Sequence, residues 1–435
     1  MKKLIAITLI AVFMCTMMFA AGSNESSSKT DAKVRTIRIY TNRSESHVAY
    51  TLWKTIAEKY QKEVNPNVKF EFETVANLDQ YKDKLKLYIA GNELPDIFQI
   101  DKGPISMELA AQGKLVDIDA ELRRIGMIDD LDEGCRKYVE FDNGQLYIFP
   151  ESRYGNTIFY WKDKFQAAGI TEEPKTYAEF LDACAKLKAA GEVPFALTGK
   201  ASWNPLHLMY LPSFSVTGNK WINDAKCGKT SFADTSVVWD SVNFLEAMVK
   251  NGYFPNGFQN MEYTDVMNGF LGGQYAMAWA QSLYIPKMEK AYAEGKLGFL
   301  KIPMNENYKG DQLATIAIQS GISWSFNKEK YDATLQDFFE YVMKNYTEES
   351  YKLGLFSPFN ADLPENVAQM TQDYYAEMKK QTVCWINWDD ACDPVTCQTM
   401  DDLVKEFVAG LVTAQEFVTL LDQSVQENGV SYFAN

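Results

Sequence analysis

Histidine is nearly missing from this 435-residue chain, which holds only His47 and His207. A metal centre built on imidazole ligands is therefore excluded, and no cofactor is expected. Positive charge is also in deficit, with 43 Lys and Arg against 58 Asp and Glu and a formal net charge of −15. Nothing in that balance would neutralise phosphates over a broad surface, so nucleic acid is excluded as a partner. No G-x-S-x-G elbow, H-E-x-x-H helix or Walker loop occurs, which removes three common catalytic frameworks. Long apolar runs are confined to Leu4–Phe19, which carries no charge. No later stretch approaches the roughly 18 apolar residues of a membrane span. Cysteine is sparse: beyond Cys15 there are Cys135, Cys184, Cys227, Cys384, Cys392 and Cys397. Their spacing matches no disulfide framework and lacks paired C-x-x-C steps for zinc. Cys384, Cys392 and Cys397 are the place for a single bridge, and Cys184 reads as a buried thiol.

What is there begins with an export signal. Met1-Lys2-Lys3 is a positive n-region, Leu4–Phe19 the apolar core, and Ala20 and Gly22 fit the −3 and −1 positions of a cleavage site. An uncleaved anchor is the alternative. Residues 1–22 are read as the signal and 23–33 as a Ser/Lys/Asp-rich tether expected to stay disordered. Loss of Lys2 and Lys3 moves the charge from −15 to −17.

The aromatic content is 14%, with 9 Trp and 24 Tyr. Period-two alternation in Ile37–Tyr40 and Val68–Phe72 predicts strands, and Leu52, Ile56, Tyr60 and Val64 between them keep helical spacing. A helix over about 78–90 and a strand over 96–100 come next. Strands alternating with helices imply an α/β fold with a largely parallel sheet, whose ligands sit at the carboxyl ends of strands. Thr176–Glu179 and Thr413–Glu416 read as capping boxes of later helices. Late strands are expected at 314–318 and 322–326.

Several stretches in order carry a resemblance: Leu94–Phe98, Leu146–Pro150, Phe159–Ile170, Pro174–Phe180, Ala190–Phe195 and Gly272–Met277. Together they resemble the extracellular solute-binding proteins of bacterial carbohydrate ABC importers, the maltose-binding-protein-like family. The likeness runs from about residue 35 to at least 345. It implies two α/β lobes threaded discontinuously, a type II-like periplasmic-binding-protein fold with a hinge. The expected division is 34–149 plus about 284–330 for lobe 1, and 150–283 plus about 331–435 for lobe 2. It also implies a sugar ligand, closure over it, no enzyme activity, a monomer, and delivery to transmembrane ABC permease subunits. Many relatives carry a lipobox Cys where Ser23 stands here, so a periplasmic protein is expected rather than a lipid-anchored one.

Sugars present apolar C–H faces ringed by hydroxyls, so a site needs aromatic platforms and fixed polar groups. Trp203 and Asn204, Trp279 and Gln281, and one of Trp385 and Trp388 are candidates, each with a packing alternative. The resemblance places a sugar-stacking ring at Trp279 and a sugar-binding carboxylate at Asp101. Arg43 and Glu45 come after the first strand, where the fold sends ligand contacts, unless the loop is a solvated turn. Glu151 and Tyr154 stand at the lobe crossing. Gln319, Ser320 and Gly321 form a tight turn that brings backbone near ligand or is an ordinary hairpin. Trp53 and Trp239 read as packing, and the pair Tyr374-Tyr375 as surface or packing. A polyamine or other non-sugar solute is the alternative cargo, and a secreted glycosidase the enzyme alternative.

Overall fold

A computed structural model describes residues 34–433 except 142, 217–219, 314 and 382–384. The signal and tether expected at 1–33, Cys384 and the start of the strand expected at 314 lie outside the described residues. Two sheets organise the chain. The first has the order β2 (Val68–Thr74), β1 (Arg35–Thr41), β3 (Ile97–Gln99) and β9 (Trp324–Phe326). β1 is parallel to β2 and β3, and β9 closes the edge antiparallel to β3. The second has the order β5 (Val193–Ala196), β6 (Tyr275–Gln281), β4 (Tyr154–Trp161) and β7 (Leu297–Phe299), with β8 (Ala317–Gln319) on the other half of β4.

The helix Val48–Glu63 forms where the sequence predicts it. His47 caps it by accepting from the Ala49 amide, and Leu52, Trp53, Ile56 and Tyr60 face inward. That stripe packs on the helix Ala333–Lys352 and seals the first core. In the second lobe the central strands are covered on both faces. Ile158, Met277 and Trp279 enter one core, while Phe159, Ala278 and Ala280 enter the other, as the two-residue strand period requires. Both predicted capping boxes are present, at Thr176 and Thr413.

The chain crosses between the sheets along three segments. Phe149–Tyr154 and Gln319–Trp324 run antiparallel: Phe149 and Trp324 exchange amide–carbonyl bonds at 2.6 and 2.8 Å, and Ser152 N–H donates to the Ser320 carbonyl at 3.2 Å. The third descends from Leu355–Phe359, where Phe356 O accepts from Arg153 N–H at 3.0 Å, to the helix Gln369–Met378. This differs from the expected division at 284 and 331. β7 and β8 both pair with β4, so the described residues of 285–319 stay in the second lobe, whereas 322–353 build the first before the chain crosses back. Three-residue strands carry too little pattern to say which sheet they join. The stretch 319–321 is accordingly a crossing and no hairpin. Gly321 has φ +68°, and a Cβ there would lie 2.3 Å from Tyr154 Cε2, so only glycine passes.

Candidate functional site

The floor between the lobes is built around Glu151, which is fully buried. Arg43, in the loop after β1, donates Nε and Nη2 to its two carboxylate oxygens at 3.0 and 2.5 Å. Gln99 Nε2, at the carboxyl end of β3, donates to Oε1 at 2.7 Å, and the Tyr154 hydroxyl donates to Oε2 at 2.7 Å. Tyr346 O–H holds the Glu151 carbonyl at 2.6 Å. Burial works against the Arg43 charge, but Glu151 beside it lifts the guanidinium above its usual range. Charge and hydrogen bonds are matched, which is what a buried ion pair requires. Three predicted residues, Arg43, Glu151 and Tyr154, thus meet in one node, and Gly321 packs on it.

Beside this floor the two lobes face each other with carboxylates. Asp101 lies just beyond β3; Asp389 and Asp390 come from the second lobe. Burial and then the Asp390 charge push Asp101 up to about 7, with Lys82, Arg43 and the Ser323 N–H opposing. Asp389 is raised by burial, Asp390 and Asp401, and Asp390 chiefly by burial. Lys82, on the helix Leu78–Ala90, brings a positive charge near this group. Burial lowers it, but Asp390, Asp101, Asp389 and Asp401 outweigh that and raise it. The second-lobe carboxylates are anchored: Tyr210 O–H donates to Asp389 at 3.1 Å and Asn387 Nδ2 to Asp390 at 2.9 Å. Asn387 in turn accepts from Gln319 Nε2 at 2.6 Å, and Gln319 accepts from Asn156 at 3.3 Å. Gln319 therefore acts through a polar chain that ends at Asp390.

The candidate tryptophans of the second lobe are packed against other rings. Trp279 is 2% exposed on β6, stacked on Phe214 at 5.9 Å. Trp385 is also 2% exposed and tilts against the same Phe214 at 6.0 Å. Trp388 is fully buried, stacked on Tyr210 at 4.7 Å and edged by Trp221. All three are core residues in this conformation: Trp279 because both faces of the second sheet are covered, Trp385 and Trp388 because Phe214, Tyr210 and Trp221 pack against them. They form an aromatic block behind Asp389, and the indole N–H groups of all three lack a partner. Trp203 is half-buried at the start of a helix, edge-on to Tyr263 at 4.7 Å and His207 at 5.5 Å. Asn204 is buried, and its Oδ1 accepts from Thr198 N–H at 3.0 Å, tying the helix to the chain after β5. Glu45 is exposed and joins none of these groups, Gln281 is half-buried opposite Asn156, and Ser320 is buried in the crossing.

Lys82, Gln99, Tyr210, Asn387, Asp389 and Asp390 were not singled out from sequence. Gln99 and Asp390 had a legible signal: one ends a predicted strand, the other comes directly after a Trp-Asp pair. Lys82 had none, since it lies on a helix remote in sequence. At the other end of the seam, His47 is lowered to about 3 by burial and by the Arg43 and Lys287 charges. Lys287 stands 5.4 Å over the Tyr284 ring. Among the described residues no group of His, Cys, Asp and Glu is arranged to hold a metal. Nor is any helix among them long and apolar enough to cross a membrane.

Comparison with known proteins agrees with this architecture. The chain is 29% identical to the sn-glycerol-3-phosphate-binding periplasmic protein UgpB of Rhizobium meliloti (strain 1021), over 78% of this chain and 81% of that protein. It is 21% identical to the melibiose/raffinose/stachyose-binding protein MelE of Bacillus subtilis (strain 168), over 56% and 54%. A solved chitin oligosaccharide binding protein superposes with a TM-score of 0.79 at 21% identity, covering 91% of this chain and 98% of that one. A structure described for xylan utilization by Caldanaerobius polysaccharolyticus gives 0.76 at 25% identity, covering 89% and 99%. The two-lobed solute-binding fold is shared with both. Residues 44–348, well over half the chain, match the family model of the bacterial extracellular solute-binding proteins, and the chain belongs to that family.

Proposed function

We propose that this protein captures a saccharide between its lobes in the periplasm and delivers it to a membrane ABC permease, without chemical turnover. The observation that carries the reading is the seam itself. Carboxylates from both lobes, Asp101 against Asp389 and Asp390, meet beside an aromatic block, and each accepts hydroxyl hydrogen bonds from a ligand that bridges the lobes. A bridging ligand has affinity for the closed form that it lacks for the open one, so its binding shifts the population towards closure. Relatives named for oligosaccharides support this cargo. A phosphate ester such as the one named for UgpB suits the seam less well, because the described carboxylates outnumber Lys82 and would repel a dianion. The same excess of carboxylates favours a polyamine as the second reading.

The test is calorimetric titration of the purified mature chain with stachyose, raffinose, chitin and xylan oligosaccharides, sn-glycerol 3-phosphate and spermidine. Product analysis of each mixture runs alongside. Stoichiometric binding of a saccharide with no new products is expected. Binding of sn-glycerol 3-phosphate or spermidine alone, or cleavage of any saccharide, would sink the reading.

A further inference from the structure

The last described residues do not trail away from the second lobe. The helix Ala414–Ser424 passes into a π-helical turn, Val425–Gly429, and then a final helical turn, Val430–Phe433. π turns are rare, and each redirects the helix that continues beyond it. This one drives the chain back onto the segment around Lys226. At Gly228, which has φ +69°, a Cβ would lie 2.4 Å from Val430 Cγ2; at Gly429 a Cβ would lie 2.8 Å from the Lys226 carbonyl. Two glycines thus permit a close approach that any side chain would block. The approach delivers two rings, Tyr432 and Phe433, edge to face at 4.9 Å, with Lys226 Nζ 4.8 Å over Phe433. That is a cation–π distance, and it pins the second ring.

The rings end up at the seam. Tyr432 and Phe433 line a cavity of about 50 Å³ together with Lys102, Pro104 and Met107 of the first lobe and Asp390 and Cys392 of the second. The Tyr432 hydroxyl is raised mainly by burial, then by Asp393 and Cys397 of the second lobe, and least by Glu108 on the first-lobe helix Pro104–Ala111. Both rings are half-buried. The first-lobe residues come directly after Asp101, so the contact stands at the carboxylate end of the cleft. Moving the lobes apart would draw the Lys102, Pro104 and Met107 wall of this cavity away from the wall that carries the rings and open it to water.

We propose that the Tyr432–Phe433 pair is a latch that positions the lobes in the closed state at the Asp101–Asp390 end of the cleft. This rests on the reading that the lobes open and close over cargo. The latch belongs to the second lobe, is held there by Lys226, Gly228 and Gly429, and releases only its first-lobe side when the cleft opens. Its stabilisation is present with or without cargo, so it sets how much of the empty protein is already closed.

The test uses the full mature chain without cargo, comparing wild type with Y432A/F433A by small-angle scattering and by amide hydrogen exchange across Lys102–Met107. A larger radius of gyration and about tenfold faster exchange at that segment are expected, with a melting temperature within about 2 °C of wild type. K226Q removes only the cation that pins Phe433 and should move both readouts the same way by less; it carries the test if the double variant fails to fold. Unchanged scattering and exchange in folded variants would overturn the proposal, as would a lower melting temperature with no change at Lys102–Met107. Adding stachyose to wild type separates the two readings. Absence of binding counts against saccharide capture, while the cargo-free comparison still decides the latch.

Discussion

Two groups of carboxylates share the seam, and they are solved in opposite ways. At Glu151 every oxygen has a partner, supplied by Arg43, Gln99 and Tyr154 from three separate strands or loops. At Asp101, Asp389 and Asp390 like charges face each other from different lobes, and burial raises all three. The first arrangement is complete within one polypeptide conformation and fixes the crossing. The second gathers like charge from both lobes, offset only in part by Lys82 and by the Tyr210 and Asn387 hydrogen bonds. The fully buried Glu151 belongs to the hinge floor, while the half-buried Asp101, Asp389 and Asp390 border the space between the lobes.

The comparison can be broken most strongly at Glu151. Removing the carboxylate in Glu151→Ala leaves Arg43 buried without its counter-charge, and should cost about 3–5 kcal/mol of stability. Urea denaturation would show this, and a near-neutral result would mean the node is solvated. Trp388→Ala should cost a similar ~3–5 kcal/mol, because it opens a cavity between Tyr210, Trp221 and Phe232. A variant that folds normally but loses saccharide binding would show instead that the ring faces the cleft. Gly321→Ala should lose about 1–3 kcal/mol from strain at positive φ and from the Tyr154 ring in its path.

The carboxylate side gives smaller effects with a definite sign. Asp101 holds its proton more tightly in the folded, closed protein than in the unfolded chain. Its contribution to stability is therefore fully present at acid pH below the ordinary aspartate value, and is lost as pH rises through about 7. Cargo-free melting temperature should fall between pH 5 and pH 8 for this reason. Asp390→Asn removes the neighbouring charge and should flatten that slope. The same substitution should weaken saccharide binding by about tenfold, or 1.4 kcal/mol, through loss of one charged acceptor.

Much of the fold was legible in the residues. The opening β–α–β unit, both capping boxes, the packing roles of Trp53 and Trp239 and the buried thiol at Cys184 arise from period and cap chemistry that act locally. Strand ends and crossings are where such folds concentrate polar groups, which is why Arg43, Asp101, Glu151 and Tyr154 stand out in the sequence. The burial of the aromatic candidates is not legible in the sequence, for a physical reason. A Trp on a central strand has the same sequence neighbours whether its face meets a core or a cleft, and here Phe214 and Tyr210 cover the faces. Lys82 and the return of 322–353 to the first lobe depend on pairings hundreds of residues apart, which no local pattern encodes.

The three crossing segments have a mechanical consequence. A single connection would let the lobes swivel about the chain as well as swing, and two would still permit a shear along their length. Three, with two of them hydrogen-bonded side by side and Arg153 joining the third through the Phe356 carbonyl, behave as a ribbon that bends across its width and resists twisting. Opening is thereby reduced to one coordinate, and residues brought face to face once return to the same register each time the ribbon flexes.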